Sequence, residues 1–153
     1  MRSNVAVIAG AGSGLSASLA RLLAKEGFSV VLAARNIEKL GALQAETGAQ
    51  AVATDVSDPA SVEHLFDVAD KAGRLSLVVF NASGCARGPI AELDPEAVRQ
   101  ALLVGAYGGF LVGQQAARRL VALGSGSILI TGATASVKGF AGSAGFAMPK
   151  FGL

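Results

Sequence analysis

Three glycines, Gly10, Gly12 and Gly14, stand between the apolar run Val5-Ala6-Val7-Ile8-Ala9 and a helix-like stretch from Ser16 to Glu26. A strand, a turn of very small residues and a helix, in that order, constrain the fold of this chain more than any other feature. Small residues let a ligand approach the backbone, and the unpaired N–H groups and dipole of a helix start favour negative charge. The turn therefore reads as a cradle for the pyrophosphate of a dinucleotide, with Gly10, Gly12, Ser13, Gly14 and Leu15 as candidate contacts. Read without a ligand, the same residues make a tight strand–helix connection.

The rest of the chain repeats the alternation. Short apolar runs at Ser29–Ala34, Ala51–Thr54, Leu75–Phe80 and Ser127–Thr131 are separated by helical stretches near 37–47, 61–71 and 95–123. The runs show little in/out alternation, which suits a parallel sheet covered on both faces. The expectation is an α/β, Rossmann-like, doubly wound parallel sheet of about five strands in the order 3-2-1-4-5, in a three-layer α/β/α arrangement. Asn36, Asp58-Pro59 and Asp94-Pro95 mark helix starts, and Gly27 and Gly73 mark helix ends. A length of 153 residues gives room for one domain, residues 1–153.

Composition excludes several classes of function. Apolar residues make up 52% and charged residues 16%, so the chain carries enough to bury a core. A net charge of +2 with no cationic run argues against nucleic acid. The longest low-charge run, residues 101–113, is too short to cross a bilayer and leads into Gln114, Gln115, Arg118 and Arg119. Met1-Arg2 before an apolar run imitates a secretion signal, but the glycine cluster interrupts it and the α/β alternation carries on. The lone Cys85 cannot form an intrachain disulfide and fits a reducing cytoplasm. No metal site is expected from the spacing of acids, histidine and cysteine. His64, beside Glu63 on the third helix, reads as an ordinary surface or boundary residue.

In the expected topology the turns after all five strands face one crevice, and the informative residues fall in those turns. The second strand ends in Ala34 with no carboxylate to bond a ribose 2′-hydroxyl, and Arg35 follows. A guanidinium suits a 2′-phosphate, so NADP(H) is favoured over NAD(H); a solvated arginine near a helix start is the alternative. After the third strand, Asp55 is placed to bond an adenine amino group with Val56 packing beside it, or Asp55 and Asp58 serve a turn and a helix cap. After the fourth, Asn81 and Ala82 leave room for a nucleotide ribose, or Asn81 bonds neighbouring backbone.

These residues together resemble the short-chain dehydrogenase/reductase family, along the whole chain and in order. Ala9-Gly10 through Gly14-x-Ser16 resembles its Thr-Gly-x-x-x-Gly-x-Gly turn, with the first Thr and last Gly replaced. Asp55-Val56 falls where the family binds adenine. Phe80-Asn81-Ala82-Ser83 resembles its Asn-Asn-Ala-Gly with both ends changed, and Gly88-Pro89-Ile90 before a long apolar helix also matches. The resemblance implies an oxidoreductase that moves hydride between NADP(H) and a small carbonyl or alcohol substrate.

It also implies an active site of Asn, Ser, Tyr and Lys, and here this chain departs. The family's Tyr-x-x-x-Lys aligns with Phe146-Ala147-Met148-Pro149-Lys150, so Lys150 is kept and the Tyr is Phe146. The Ser falls on Ala133, with Thr134 next to it, and the Asn falls on Gly105. In the family the Tyr exchanges a proton with the substrate oxygen, the Ser holds that oxygen, and the Lys lowers the Tyr pKa and bonds ribose. Loss of a general acid costs about 10²–10⁴-fold in rate, and loss of an oxyanion donor about 10²–10³-fold. Lys150 is left to bind ribose, or is a solvated helix lysine. Thr131, Thr134 and Ser136 offer hydroxyls near the Ser position, while the one phenol, Tyr107, lies on another helix face. A catalytically impaired nucleotide-binding module or scaffold, and an inert truncated form, are therefore the alternative readings. Family members continue beyond the Lys-bearing helix. With the chain ending at Leu153, the fifth strand is expected to form an edge and Phe140, Phe146 and Phe151 to lack cover, either because the chain is a fragment or because a second copy covers them in a homo-oligomer.

Overall fold

The computed structural model describes residues 3–153. Its elements run β1 (Asn4–Ala9), α1 (Leu15–Lys25), β2 (Ser29–Ala34), α2 (Gly41–Thr47), β3 (Gln50–Ala53), α3 (Pro59–Ala72), β4 (Arg74–Phe80), α4 (Pro95–Leu102), α5 (Gly108–Leu123), β5 (Ser127–Ile130) and α6 (Ala144–Phe151). The five strands form one parallel sheet in the order β3-β2-β1-β4-β5, as the sequence predicts.

Alternation along each strand feeds two separate cores. Val5, Val7 and Ala9 of β1 point to one face, where Val62, Leu65 and Phe66 of α3 and Leu111, Val112 and Ala116 of α5 cover them. Ala6 and Ile8 point to the other, against Ala17, Ala20 and Leu23 of α1 and Leu43 of α2. Val5–Ala9 of the central strand are thus fully buried, which explains why these five residues are apolar without a break. Asp58 and Asp94 cap α3 and α4, each accepting two backbone N–H bonds ahead of a proline at the helix start.

Two expectations are corrected. The stretch 95–123 is not one α-helix: a π-helical turn, Leu103–Tyr107, separates α4 from α5. At its centre, a Cβ on Gly105 would stand 2.5 Å from Cβ of Pro149, so the missing side chain is what lets α6 approach this closely. The helix expected near 37–47 opens with a 3₁₀ turn, Glu38–Leu40, before α2 proper. The fifth strand is the exposed edge that the sequence leads one to expect, with Ile128, Leu129 and Ile130 36%, 52% and 43% exposed.

Candidate functional site

The strand ends are stitched together at the C-terminal edge of the sheet. Gly10 and Ala11 N–H groups donate to Ala33 O (3.0 and 2.8 Å), Thr54 N–H to Ala34 O (3.0 Å), Asn81 N–H to Ala9 O (2.7 Å) and Thr131 N–H to Phe80 O (2.9 Å). These bonds continue the parallel ladder past the last strand residues and hold the turns in one plane. Above them lies a crevice of about 430 Å³, at the switch point where β1 leads to β2 on one side and β4 flanks it on the other.

Gly10 takes φ +91°, and a side chain there would overlap the backbone of Asn81 and Ala82. It is therefore the close-contact point between the first and fourth turns. Gly12 and Gly14 have open space where a Cβ would stand, with no other atom within 4 Å. That bare floor sits at the start of α1, where Gly14 is the N-cap and offers no side chain of its own. Ser13 and Leu15 flank it, Leu15 opening the helix. A pyrophosphate fits this arrangement: room above the backbone, and N–H groups of a first helical turn left without intrahelical partners.

Of the residues expected from the sequence, Gly10, Arg35, Asp55, Val56, Asn81 and Ala82 line the crevice itself. Gly12, Ser13, Gly14 and Leu15 belong to the turn at its end. Asp55 lines the crevice, and its carboxylate serves the turn by accepting from Ser57 Oγ (2.6 Å) and Ser57 N–H (2.9 Å). These bonds, with help from the charge of Arg35, hold its pKa below the usual carboxylate value. Asn81 has a structural bond: its Nδ2 donates to Ser16 Oγ (2.8 Å), which donates to Gly10 O (2.9 Å). Ser16 is 1% exposed, and this chain of bonds locks α1 to the fourth turn. The family pattern puts a glycine at that position.

Two cations face the crevice, not one. Lys39 lines it beside Arg35, four residues further along the chain. Lys39 has no signal in the sequence but its spacing from Arg35, and the 3₁₀ turn at Glu38–Leu40 brings it back toward the strand end. Asn36 also lines the crevice, and its Oδ1 accepts from Glu38 N–H (3.0 Å) to start that turn.

The catalytic positions lie further along, on β5 and α6. Lys150 is not a solvated helix lysine. It is 6% exposed, its Nζ donates to Thr131 O (2.7 Å), and burial lowers its pKa from the ordinary lysine value. Its ammonium stands 5.9 Å from the centre of the Phe146 ring. Phe146 is half-buried, and Ser136 Oγ accepts from Ala133 N–H (3.0 Å). Tyr107 is 40% exposed and stacks on Phe110 outside the crevice, and His64 is exposed on α3. Cys85 is a free, exposed thiol that accepts from Arg87 Nε at 3.4 Å. Among the described residues, no group of three or more His, Cys, Asp or Glu could hold a metal ion, and no helix is long and apolar enough to cross a membrane.

Residues 4–153 match the sequence model of the short chain dehydrogenase family. The chain is similar to a cis-4-hydroxycyclohexanecarboxylate dehydrogenase from Sinomonas cyclohexanicum, with 36% identity over 97% of this chain and 62% of the relative. It is also similar to a D-threitol dehydrogenase from Mycolicibacterium smegmatis, with 31% identity over 97% of this chain and 60% of the relative. The chain thus spans about three-fifths of the length of these curated relatives. Among solved structures, a short-chain dehydrogenase from Rhodopseudomonas palustris superposes with a TM-score of 0.93 and 36% identity, covering 100% of this chain and 74% of the other. An actinorhodin polyketide ketoreductase variant, solved with NADPH, superposes at 0.91 with 28% identity, covering 98% of this chain and 60% of the other.

Proposed function

Because this chain belongs to the short-chain dehydrogenase family, we propose that it is an NADP(H)-binding oxidoreductase domain acting on a small carbonyl or alcohol substrate. The observation that carries the cofactor reading is the pairing of Arg35 with Lys39 at the crevice edge where NAD-preferring folds place a carboxylate. Two cations there suit a 2′-phosphate, and a guanidinium can donate two parallel bonds to it.

In this reading residues 1–153 form one NAD(P)-binding Rossmann domain. Gly10, Gly12, Ser13, Gly14 and Leu15 form the pyrophosphate floor, Arg35 and Lys39 hold the 2′-phosphate, Asp55 and Val56 meet the adenine, and Asn81 and Ala82 border a ribose. NADP(H), when bound, supplies or accepts the hydride. Lys150 Nζ donates to the carbonyl of Thr131 and ties α6 to the end of β5. It is the remaining residue of the family's Ser-Tyr-Lys set and is assigned to ribose binding. Phe146 has no proton to give and Ala133 no hydroxyl, so the chain's own groups hold the substrate oxygen less firmly than the family set would. A cytoplasmic location belongs to the same reading, supported by the free Cys85 thiol. So does self-association, supported by the exposed apolar edge at β5; light scattering on the purified chain tests it, and a monomer at high concentration refutes it.

Calorimetric titration with NADP⁺ and with NAD⁺ is the deciding experiment. Tighter binding of NADP⁺ supports the proposal, and equal binding refutes the role given to Arg35 and Lys39. NADPH fluorescence quenching without reduction of any carbonyl in a panel would assign the chain to the non-catalytic module instead.

A further inference from the structure

A second, larger groove of about 860 Å³ lies at the opposite edge of the sheet. Asn4, Arg74 and Leu75 bring the starting ends of β1 and β4 to it, whereas the nucleotide crevice lies beyond their finishing ends. The two sites are about 20 Å apart along the strands. Its other wall is the last two turns of α5, with Arg118, Arg119, Ala122 and Leu123. Its size falls within the range of small-molecule sites, roughly 300–1,000 Å³.

Three arginines line this groove against one aspartate, and they are not equivalent. Arg119 is committed: it donates to Asp70 (2.8 Å) and Gln115 Oε1 (2.6 Å), pairs with Asp67 (3.5 Å) and lies over the Phe66 ring at 5.1 Å. These contacts account for Arg119 and leave the other two arginines without a carboxylate among the described residues. Arg118 is exposed and has no carboxylate partner among the described residues. Arg74 bonds a neutral hydroxyl, Ser125 Oγ, at 2.6 Å. Leu75, Ala122 and Leu123 supply apolar lining to the same groove.

We infer that this groove binds a small amphipathic carboxylate, its head on Arg74 and Arg118 and its hydrocarbon body along α5. A guanidinium fork matches a carboxylate in shape and charge. Nothing in the nucleotide reading is needed for this site, which shares no residue with the crevice.

Titration of the full chain with sodium octanoate, octanol and acetate, by calorimetry and saturation-transfer NMR, tests it. Octanoate is expected to bind at least tenfold more tightly than octanol, which has the body without the charge, or acetate, which has the charge without the body. The R74Q/R118Q variant is expected to lose roughly tenfold or more in octanoate affinity, and R118Q alone a part of that, while R74K/R118K keeps more. Thermal melting followed by circular dichroism checks that each variant is folded, and R118Q carries the test if a change at Arg74 unfolds the chain. Equal binding of octanol, no effect of R118Q, no octanoate binding, or competition between octanoate and NADP⁺ would each overturn the inference.

Discussion

Substituting Gly10 and Gly12 by alanine, one at a time, separates what the turn does for the fold from what it does for a ligand. Gly10 has φ +91°, and an added Cβ would overlap backbone atoms of Asn81 and Ala82, not the tip of a side chain that could swing away. A non-glycine residue held at such a φ costs about 1–3 kcal/mol. Forcing an extra carbon into a packed site costs about 1–3 kcal/mol more. Alanine returns only about 0.4–1 kcal/mol by restricting the unfolded chain. Gly10→Ala is therefore expected to destabilise the protein by at least about 1 kcal/mol and up to roughly 5 kcal/mol, a large part of the ~5–15 kcal/mol available to a domain. Gly12 has no positive φ and no atom within 4 Å of its added Cβ. Gly12→Ala is expected to leave stability within about 0.5 kcal/mol but to weaken NADP⁺, because the methyl group stands on the pyrophosphate floor. Urea denaturation followed by circular dichroism measures the first effect, and calorimetry the second. Wild-type stability in Gly10→Ala would refute the claim that this glycine joins the first and fourth turns. Unchanged NADP⁺ affinity in Gly12→Ala would refute the floor.

Arg35→Ala should weaken NADPH by about tenfold or more and NADH little, with Lys39→Ala showing the same bias to a smaller degree; equal loss for both coenzymes in a fluorescence titration contradicts the 2′-phosphate assignment. Phe146→Tyr combined with Ala133→Ser should raise any carbonyl reduction, by up to about 10²-fold or more, and no gain in a spectrophotometric assay would show that the proton donor is not what limits the chain. Lys150 has a pKa lowered by burial, so its charged form is disfavoured in the folded state and the unfolded chain binds more protons between the folded pKa and the ordinary value of 10.5. Its contribution to stability should therefore rise with pH across that window, and Lys150→Met should remove this rise; identical alkaline profiles for the two proteins would contradict the desolvation. Asp55 runs the other way: its pKa is lowered, chiefly by Ser57, so its stabilisation is present above the ordinary carboxylate pKa and lost as pH falls through the folded value. Asp55→Asn should flatten the acid limb of the stability curve, and an unaltered limb would refute the bonding seen at Ser57.

The apolar continuity of β1 and β2 foretold strands buried on both faces, and the caps at Asp58 and Asp94 foretold two helix starts, because each of these signals is local. The π turn at Leu103–Tyr107 was not legible in the same way. Its central Gly105 packs against Pro149, which lies more than forty residues further along the chain, and no spacing within 95–123 reports a distant proline ring. Ser16 looked like a departure from a glycine pattern; only the fold brings Asn81 to it, turning the departure into a buried hydrogen bond. Lys150 had two readings of similar standing in the sequence, and burial against Thr131 removed one of them.

The order of strands and helices, their parallel pairing and the place of the glycine turn at a helix start were fixed by the chain's own pattern, because periodicity and turn chemistry act over a few residues. Tertiary structure alone decided which charges share a surface: Lys39 with Arg35 at one end of the sheet, Arg74 with Arg118 at the other. Such meetings depend on how far each crossover carries the chain and where it sets the side chain down, and burial and long-range hydrogen bonding determine both.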